Sequence, residues 1–351
     1  MKDFEPDYRH VVDAAWNRRP ARLPIYEHKI DFGVMAEIMG EPVPPPEDEG
    51  ADLAASYAAQ CRFWKRMTYD TVSFEAKIAP RLPGHGAIYG SRPGPIQSRR
   101  DLSEYPFDEF PAQFWAYWGP HLDALAAALP PGMKAVGGCG WGVFEISEDL
   151  VGYEPLCLMQ YDDPDLFSDL YVRIGDLMVK LWSDMVRRYD ALFAVYRMGD
   201  DLGFKSATLL APETIVSHVV PQYRRILSVI RGTGKPFLLH SCGKIFAVME
   251  DLIAAGIQAK HSNEDAIAPF EEWIERYGER IGLFGGIDVD VLCLRPPEEV
   301  FQEVLRRGTA FRRRARGFAL GSGNSIPGYV PAQGYLAMIE AAKEIRRREE
   351  G

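Results

Sequence analysis

The sequence predicts a single (β/α)8 barrel domain that occupies residues 1–351. Eight short apolar runs recur along the chain, longer amphipathic stretches separate them, and 351 residues suffice for one barrel of this kind. Short apolar runs bounded by turn residues are typical of buried parallel strands. The alternative is a doubly wound sheet, but the Gly-x-Gly-x-x-Gly turn of its dinucleotide-binding members does not follow the first run.

Each predicted strand is a run of about four residues. In chain order these runs are Leu23–Tyr26, Thr71–Phe74, Lys134–Gly137, Leu192–Tyr196, Pro236–Leu239, Ile257–Lys260, Ile281–Phe284 and Gly317–Leu320. The clearest predicted helices are Pro164–Tyr189, Pro212–Arg231, Ile245–Ala255 and Glu298–Arg313. Proline and acidic residues in the first turn indicate where the second and fourth of these helices begin, and Gly256 indicates where the third ends.

Two segments interrupt this alternation. The first is the proline-rich stretch Gly40–Gly50, predicted to be a stiff surface loop, and the second is a long insertion, residues 79–131, after the second strand. A helical extension is also predicted before the first strand. The insertion is rich in proline, glycine and aromatic residues. Such a segment is often a lid or a partner surface. A satellite layer of helices that packs its own aromatic side chains is the alternative.

Composition excludes some classes of function. The formal net charge is −10, from 50 acidic and 40 basic residues, which argues against a general nucleic-acid binder. No apolar run approaches the roughly 18–20 residues of a membrane span. The five cysteines are few and far apart, and the acidic N-terminus does not resemble a signal peptide. We therefore expect a cytoplasmic protein that does not enter a membrane.

The most informative motif is His240-Ser241-Cys242-Gly243, which follows the fifth predicted strand. In a strand, residues i and i+2 point to the same side, so His240 and Cys242 would face one site. An imidazole and a thiolate together are half of a zinc site. The alternative is a structural histidine beside a buried cysteine that acts as a small hydrophobic residue.

Other polar residues follow the remaining strands, where barrel enzymes place their chemistry. They include Glu27, His28, Glu75, Trp141, Asp200, Asp201, His261, Glu264 and Asn324. A catalytic zinc site uses three protein ligands and one open position. Glu264, on the strand next to that of His240 and Cys242, is the best third ligand. Asn324, Asp200, Glu27 and His261 remain alternatives for that position.

Several motifs together resemble the uroporphyrinogen decarboxylase superfamily. These motifs are Leu239-His240-Ser241-Cys242-Gly243-Lys244, Gly285-Gly286-Ile287-Asp288, the stretch from Leu320 to Pro327, and Gly140-Trp141-Gly142-Val143-Phe144-Glu145. The likeness extends over nearly the whole chain and is strongest in its last third. It implies a (β/α)8 barrel, commonly a homodimer.

The superfamily includes decarboxylases and zinc-dependent methyltransferases that work with corrinoid proteins or coenzyme M. The decarboxylases carry an arginine-rich motif on the first strand, where this chain has Glu27 and Asp31. The methyltransferases share the His-x-Cys of His240 and Cys242 but usually add a last-motif cysteine, where this chain has Asn324. Cobalamin-independent methionine synthase, a related barrel, instead uses a Glu at a spacing that corresponds to Glu264.

The resemblance therefore implies a zinc methyltransferase that moves a methyl group between a small methoxy compound or thiol and a separate corrinoid protein. In this interpretation Asp200, Asp201 and His261 orient the substrate or move a proton. The substrate site is lined by Tyr26, Glu27, His28, Glu75, Trp141 and Asn324. A decarboxylase-like lyase with Asp200 or His261 as acid–base, and a non-catalytic small-molecule-binding barrel, remain alternatives.

Overall fold

Seven parallel strands form one curled sheet in the computed structural model, which describes residues 4–90 and 92–350. The strands are β1 Thr71–Lys77, β2 Lys134–Gly140, β3 Phe193–Gly199, β4 Phe237–His240, β5 Ala259–His261, β6 Gly282–Ile287 and β7 Phe318–Ser322. Each strand pairs in parallel with the next one in the chain. The predicted barrel-type α/β fold is confirmed, because sequential parallel order and intervening helices are its defining topology.

The first predicted strand, Leu23–Tyr26, occupies the eighth position but forms only one isolated bridge, between Ile25 and Leu320 of β7. The Tyr26 N–H donates to the Leu320 carbonyl at 2.9 Å, and the Leu320 N–H donates to the Pro24 carbonyl at 3.0 Å. Pro24 has no N–H and cannot extend the ladder. On the other side, the Ser73 hydroxyl of β1 donates to the Glu27 carbonyl. The segment therefore lies between β7 and β1.

Helices surround the sheet. They are α1 Arg9–Ala15, α2 Phe32–Met39, α3 Leu53–Arg66, α4 Arg99–Glu104, α5 Phe110–Ala128, α6 Val143–Val151, α7 Tyr153–Asp162, α8 Pro164–Tyr189, α9 Pro212–Thr214, α10 Val220–Arg231, α11 Met249–Ala255, α12 Phe270–Tyr277, α13 Val289–Leu294, α14 Pro297–Arg314 and α15 Ala332–Glu350. A π-helical stretch, Ile215–Val219, joins α9 to α10. Across residues 4–90 and 92–350, none of these helices has the length and apolar character to span a bilayer.

The N-terminal helical extension closes one end of the barrel. Val11, Ala14 and Ala15 of α1 are fully buried against inward-facing side chains of the strands, such as Val195 and Leu238. Burying these apolar side chains stabilises the folded barrel. Because α1 fills the N-terminal end, the mouth at the carboxyl ends of the strands is the end left for a site.

The segment 79–131 contains α4 and α5. Helix α5 packs against α3 and α8, as expected for the helix that connects β1 to β2. Its aromatic side chains Phe110, Phe114 and Trp118 are buried. Part of the segment is therefore a helical layer of the barrel. A lid function for the remainder stays a prediction.

Candidate metal centre

Strands β3, β4 and β5 bring several of the predicted site residues together at the mouth of the barrel. Strand β4 ends at His240 and leads directly to Cys242, while β3 ends at Gly199 and leads to Asp200 and Asp201. In the sheet register His240 is opposite Gly199 of β3 and His261 of β5. Parallel strands in register end at the same level, so the residues that follow them converge.

A nitrogen, a sulfur and an oxygen donor form one compact group. His240 Nε2 lies 3.6 Å from Cys242 Sγ and 4.0 Å from Asp201 Oδ1. All three candidate ligand atoms are within 4.8 Å of one another. The Cys242 N–H donates to Asp201 Oδ1 at 2.8 Å, which holds the carboxylate beside the thiol. Imidazole, thiolate and carboxylate are the ligands that zinc accepts in proteins.

The loop that carries Cys242 is held by a close backbone approach. Gly243 has φ +84°, and a Cβ there would come within 2.1 Å of the Gly203 backbone. Both the left-handed conformation and this contact require glycine. The glycine of the His-Ser-Cys-Gly motif therefore lets the loops after β3 and β4 touch, which keeps Asp201 beside Cys242.

Glu264, the third ligand that the sequence favoured, lies beside this group rather than in it. Its Oε1 accepts a hydrogen bond from Asn324 Nδ2 at 3.0 Å, and the same nitrogen lies 3.6 Å from Cys242 Sγ. An amide N–H directed at sulfur favours the thiolate over the thiol. Asn324 therefore approaches the sulfur as a donor. The carboxylate grouped with His240 and Cys242 is that of Asp201, and a ligand role for Glu264 stays a prediction.

Without a cation, the thiol of this group stays protonated. Burial raises the pKa of the Cys242 thiol, and the nearby Asp201 carboxylate raises it further. A bound divalent cation reverses this balance, because it favours the deprotonated sulfur directly. The local electrostatics thus suit a sulfur that ionises when it binds a metal and is otherwise unreactive.

The rings of three histidines lie close together beside the donor group. The His28 ring is stacked on the His240 ring with centroids 3.8 Å apart, and His240 Nδ1 lies 2.8 Å from His261 Nδ1. The three form a second cluster of nitrogen atoms within 4.8 Å of one another. Burial lowers the pKa of His28 and His240 well below the usual value and that of His261 to about 3. All three imidazoles are therefore neutral at pH 7.

Asp200, predicted to orient the substrate, orders the backbone of α6. Its carboxylate accepts the N–H groups of Phe144 and Glu145 at 3.1 and 2.9 Å and the Tyr223 hydroxyl at 2.7 Å. Burial raises the Asp200 pKa to about 6. Burial, followed by the charges of Asp201 and Asp200, also raises the pKa of Glu145. Glu145 was missed as a candidate, although its motif Gly-Trp-Gly-Val-Phe-Glu was noted.

The residues predicted to bind substrate do not all line one cavity. His28 and Glu75 line a cavity whose volume is about 610 Å³ when the part open to solvent is included. Tyr26 and Glu27 are buried in the wall instead, where Glu27 accepts the Ser322 N–H at 2.7 Å and bonds to the Ser322 hydroxyl. Trp141 is half-buried, and its ring centroid is 6.5 Å from that of the exposed Tyr89.

The cavity combines aromatic walls with one buried cation. Its aromatic lining consists of Phe32, Tyr57, Trp64, Phe74 and Trp118. Arg197, only 1% exposed, also lines it and lies 3.9 Å from Glu75. Arg197 is not among the residues predicted from the sequence, although a charged residue directly after the apolar run Leu192–Tyr196 is itself a signal, because such a residue needs partners when it is buried.

Glu27 is expected to make stability depend on pH. Burial raises its pKa from 4.5 to about 8, so the folded protein holds a proton that the unfolded chain releases. The contribution of this bound proton to the free energy of unfolding is fully present below pH 4.5 and is lost as pH rises through about 8. The change amounts to roughly 3–5 kcal/mol. Glu27→Gln keeps an acceptor for the Ser322 N–H without this proton.

Urea unfolding of wild type and Glu27→Gln at pH 5 and pH 8 measures this effect. Other titrating groups cancel when the two proteins are compared at each pH. We expect the variant to gain stability relative to wild type as the pH rises. An equal difference at both pH values would contradict the assignment of a protonated Glu27.

A family model and one solved structure agree with this architecture. The model of the family described as uroporphyrinogen decarboxylase (URO-D) matches residues 91–345. A solved methyltransferase from Methanosarcina mazei has a TM-score of 0.71 at 15% identity, covering 97% of this chain and 99% of that one. A B12-independent methionine synthase from Shewanella sp. W3-18-1, in complex with selenomethionine, has a TM-score of 0.49 at 15% identity, covering 94% and 96%. No curated protein matches the sequence.

Proposed function

Because this chain belongs to the uroporphyrinogen decarboxylase family, and because its barrel mouth carries an imidazole–thiol–carboxylate group, we propose that it is a zinc-dependent methyltransferase. The methyl group would move between a small methoxy compound or thiol and the corrinoid of a separate protein. The observation that carries the proposal is the convergence of His240, Cys242 and Asp201 within 4.8 Å.

His240, Cys242 and Asp201 would hold the zinc. The donor set fits this ion because it combines a neutral nitrogen, an ionisable sulfur and a carboxylate, and three protein ligands leave one position for a substrate. When bound, zinc would act as a Lewis acid that holds a thiol as thiolate or stabilises a departing alkoxide or phenolate. The Asp201 side chain is 40% exposed, so this face of the group is open to the barrel mouth.

The surrounding residues would orient the ligands and bind the substrate. Asn324 would donate to the Cys242 sulfur while Glu264 holds the amide in place. The aromatic cavity would bind the apolar part of a substrate, and His28 would connect it to the donor group, because His28 both lines the cavity and stacks on His240. Aromatic walls favour an aryl methyl ether over a small aliphatic thiol.

A zinc determination and a methyl-transfer assay test this proposal. Purified protein should contain about one zinc per chain by mass spectrometry of the metal. It should also methylate free cob(I)alamin from a methoxyarene or a methylated thiol, with protein stripped by a chelator as the control. Protein that binds no zinc when the metal is supplied would overturn the proposal.

The identity of the carboxylate ligand can be tested with a matched pair of variants. We expect Asp201→Asn to weaken zinc binding by about 100-fold or more, because it removes the charged oxygen nearest His240 and Cys242. We expect Glu264→Gln to cost about 10-fold, since it acts through Asn324. Competition with a chromophoric chelator measures both affinities. The reverse order would make Glu264 the ligand, as the sequence suggested.

A carboxy-lyase is the second candidate, and Arg197 is the observation that favours it. This buried guanidinium lines the cavity beside Tyr26 and His28, the segment where the arginine motif of the decarboxylases is missing. One cation in an aromatic cavity could bind a substrate carboxylate. Decarboxylation of uroporphyrinogen by chelator-treated protein, without methyl transfer by the zinc-loaded form, would favour the lyase.

A further inference from the structure

A chain of buried hydrogen bonds leads from the barrel wall to His240. His261 Nε2 lies 3.1 Å from the Ser322 carbonyl oxygen, and His261 Nδ1 lies 2.8 Å from His240 Nδ1. His240 Nε2 then faces Cys242 Sγ at 3.6 Å. The order is therefore Ser322, His261, His240 and the donor group, and each ring uses both of its nitrogens.

The positions of the protons follow from the acceptors. The Ser322 carbonyl can only accept, so the proton of the neutral His261 ring is on Nε2 and its Nδ1 is a bare acceptor. His240 Nδ1 must then donate to it, which leaves the lone pair of the neutral His240 ring on Nε2. Nε2 is the nitrogen that faces Cys242 and Asp201. The opposite tautomer would direct an N–H at the position of the metal.

We propose that His261 is a positioning residue that holds His240 as the Nδ1–H tautomer and so presents Nε2 as a metal ligand. This inference rests on the proposed function, since it assumes that His240 binds the metal. It assigns His261 a role different from the substrate or proton-transfer role that the sequence suggested. Histidine ligands in metal sites generally donate their second N–H to such an outer partner, which orients the ring.

The elements around His261 keep it in this orientation. Its side chain and that of Ser322 are fully buried, and both oxygens of the buried Glu27 bond to the backbone N–H and hydroxyl of Ser322. Gly285 of β6 packs beside them. A Cβ at position 285 would come within 3.1 Å of His261 Cδ2 and 2.7 Å of the Ser322 oxygen. The first glycine of the Gly-Gly-Ile-Asp motif thus leaves room for the His261 ring.

Two substitutions at His261 distinguish a role of its hydrogen bonds from a role of its packing volume. An amide carries its oxygen and nitrogen on one carbon, as the imidazole carries Nδ1 and Nε2 on Cε1, so Gln can accept from His240 and donate to Ser322. Leu fills a similar volume and does neither. We expect His261→Leu to lose 10- to 100-fold in Co²⁺ and Zn²⁺ affinity and to alter the visible spectrum of the Co²⁺ form. His261→Gln should stay within a few-fold of wild type.

Equal metal affinities and equal Co²⁺ spectra in wild type and His261→Leu would overturn this inference while leaving the proposed function in place. Wild-type protein that binds no zinc would overturn the function instead. The tautomer can also be measured without a variant or a metal. Long-range ¹H–¹⁵N correlation spectra of metal-free protein with ¹⁵N-labelled histidine should identify His240 as Nδ1–H. An Nε2–H signal for His240 would overturn the inference.

Discussion

Replacing Cys242 with alanine is expected to remove tight zinc binding and, with it, methyl transfer. Cys242 supplies the sulfur of the group that it forms with His240 and Asp201, whose ligand atoms lie within 4.8 Å of one another. Zinc-finger peptides, which supply four protein ligands, bind zinc with about 10–16 kcal/mol, so each ligand contributes roughly 3 kcal/mol. The affinity should therefore fall by about 100-fold or more.

Chelator competition and the zinc content of the purified variant measure this loss. Cys157→Ala is the matched control, because Cys157 is also a half-buried free cysteine but lies on α7, outside the donor group. It should keep the wild-type affinity. A Cys242→Ala protein that retains one tightly bound zinc per chain would show that the metal is held elsewhere.

The largest effect on stability is expected at Arg197. Its Nη1 donates to the Tyr26 hydroxyl and the His28 carbonyl at 3.2 and 3.1 Å, and its Nη2 donates to the Phe74 carbonyl at 3.1 Å. Arg197 thus connects the 23–28 segment to β1, at the place where the first predicted strand forms only a bridge with β7. Side-chain hydrogen bonds therefore hold the 23–28 segment to β1 and help to close the barrel.

Arg197→Met should lower the free energy of unfolding by about 3–5 kcal/mol, because it leaves buried carbonyl groups without donors. Urea denaturation followed by circular dichroism measures the change. Arg280→Met is the control, since the ion pair of Arg280 with Glu250 is exposed and its loss should leave the midpoint nearly unchanged. Equal urea midpoints for the two variants would mean that the attachment of the 23–28 segment to β1 does not depend on Arg197.

Much of the fold could be predicted because strand and helix signals are local. Seven of the eight apolar runs are strands, and the predicted helix Pro164–Tyr189 has the same bounds as α8. Strands such as β2 and β3 continue about three residues beyond the predicted runs. The prediction ended early because the glycine and arginine residues in these strands are not typical of strands. The first run was overestimated because Pro24 limits its pairing to one bridge.

The site could be predicted in part. His240 and Cys242 are two residues apart in the sequence, so the strand period predicted that they share one side. In the structure β4 ends at His240, and Cys242 lies in the loop that follows. Asp201 follows a different strand, and its place beside Cys242 depends on the contact between Gly203 and Gly243. The interaction of Asn324 with Glu264 and the sulfur joins loops that are 60 and 82 residues apart in the chain. No local pattern encodes such distances.

The sequence by itself determined the alternation of strands and helices, the resemblance to a family and the nitrogen–sulfur pair. Hydrophobic periodicity and residue spacing are properties of short segments and survive without tertiary context. Only the tertiary structure decided that the Asp201 carboxylate lies in one compact group with His240 and Cys242, and that the His261 ring lies against the His240 ring. These contacts depend on how neighbouring loops pack at the barrel mouth, because small shifts of a loop change which polar atoms are within hydrogen-bonding distance.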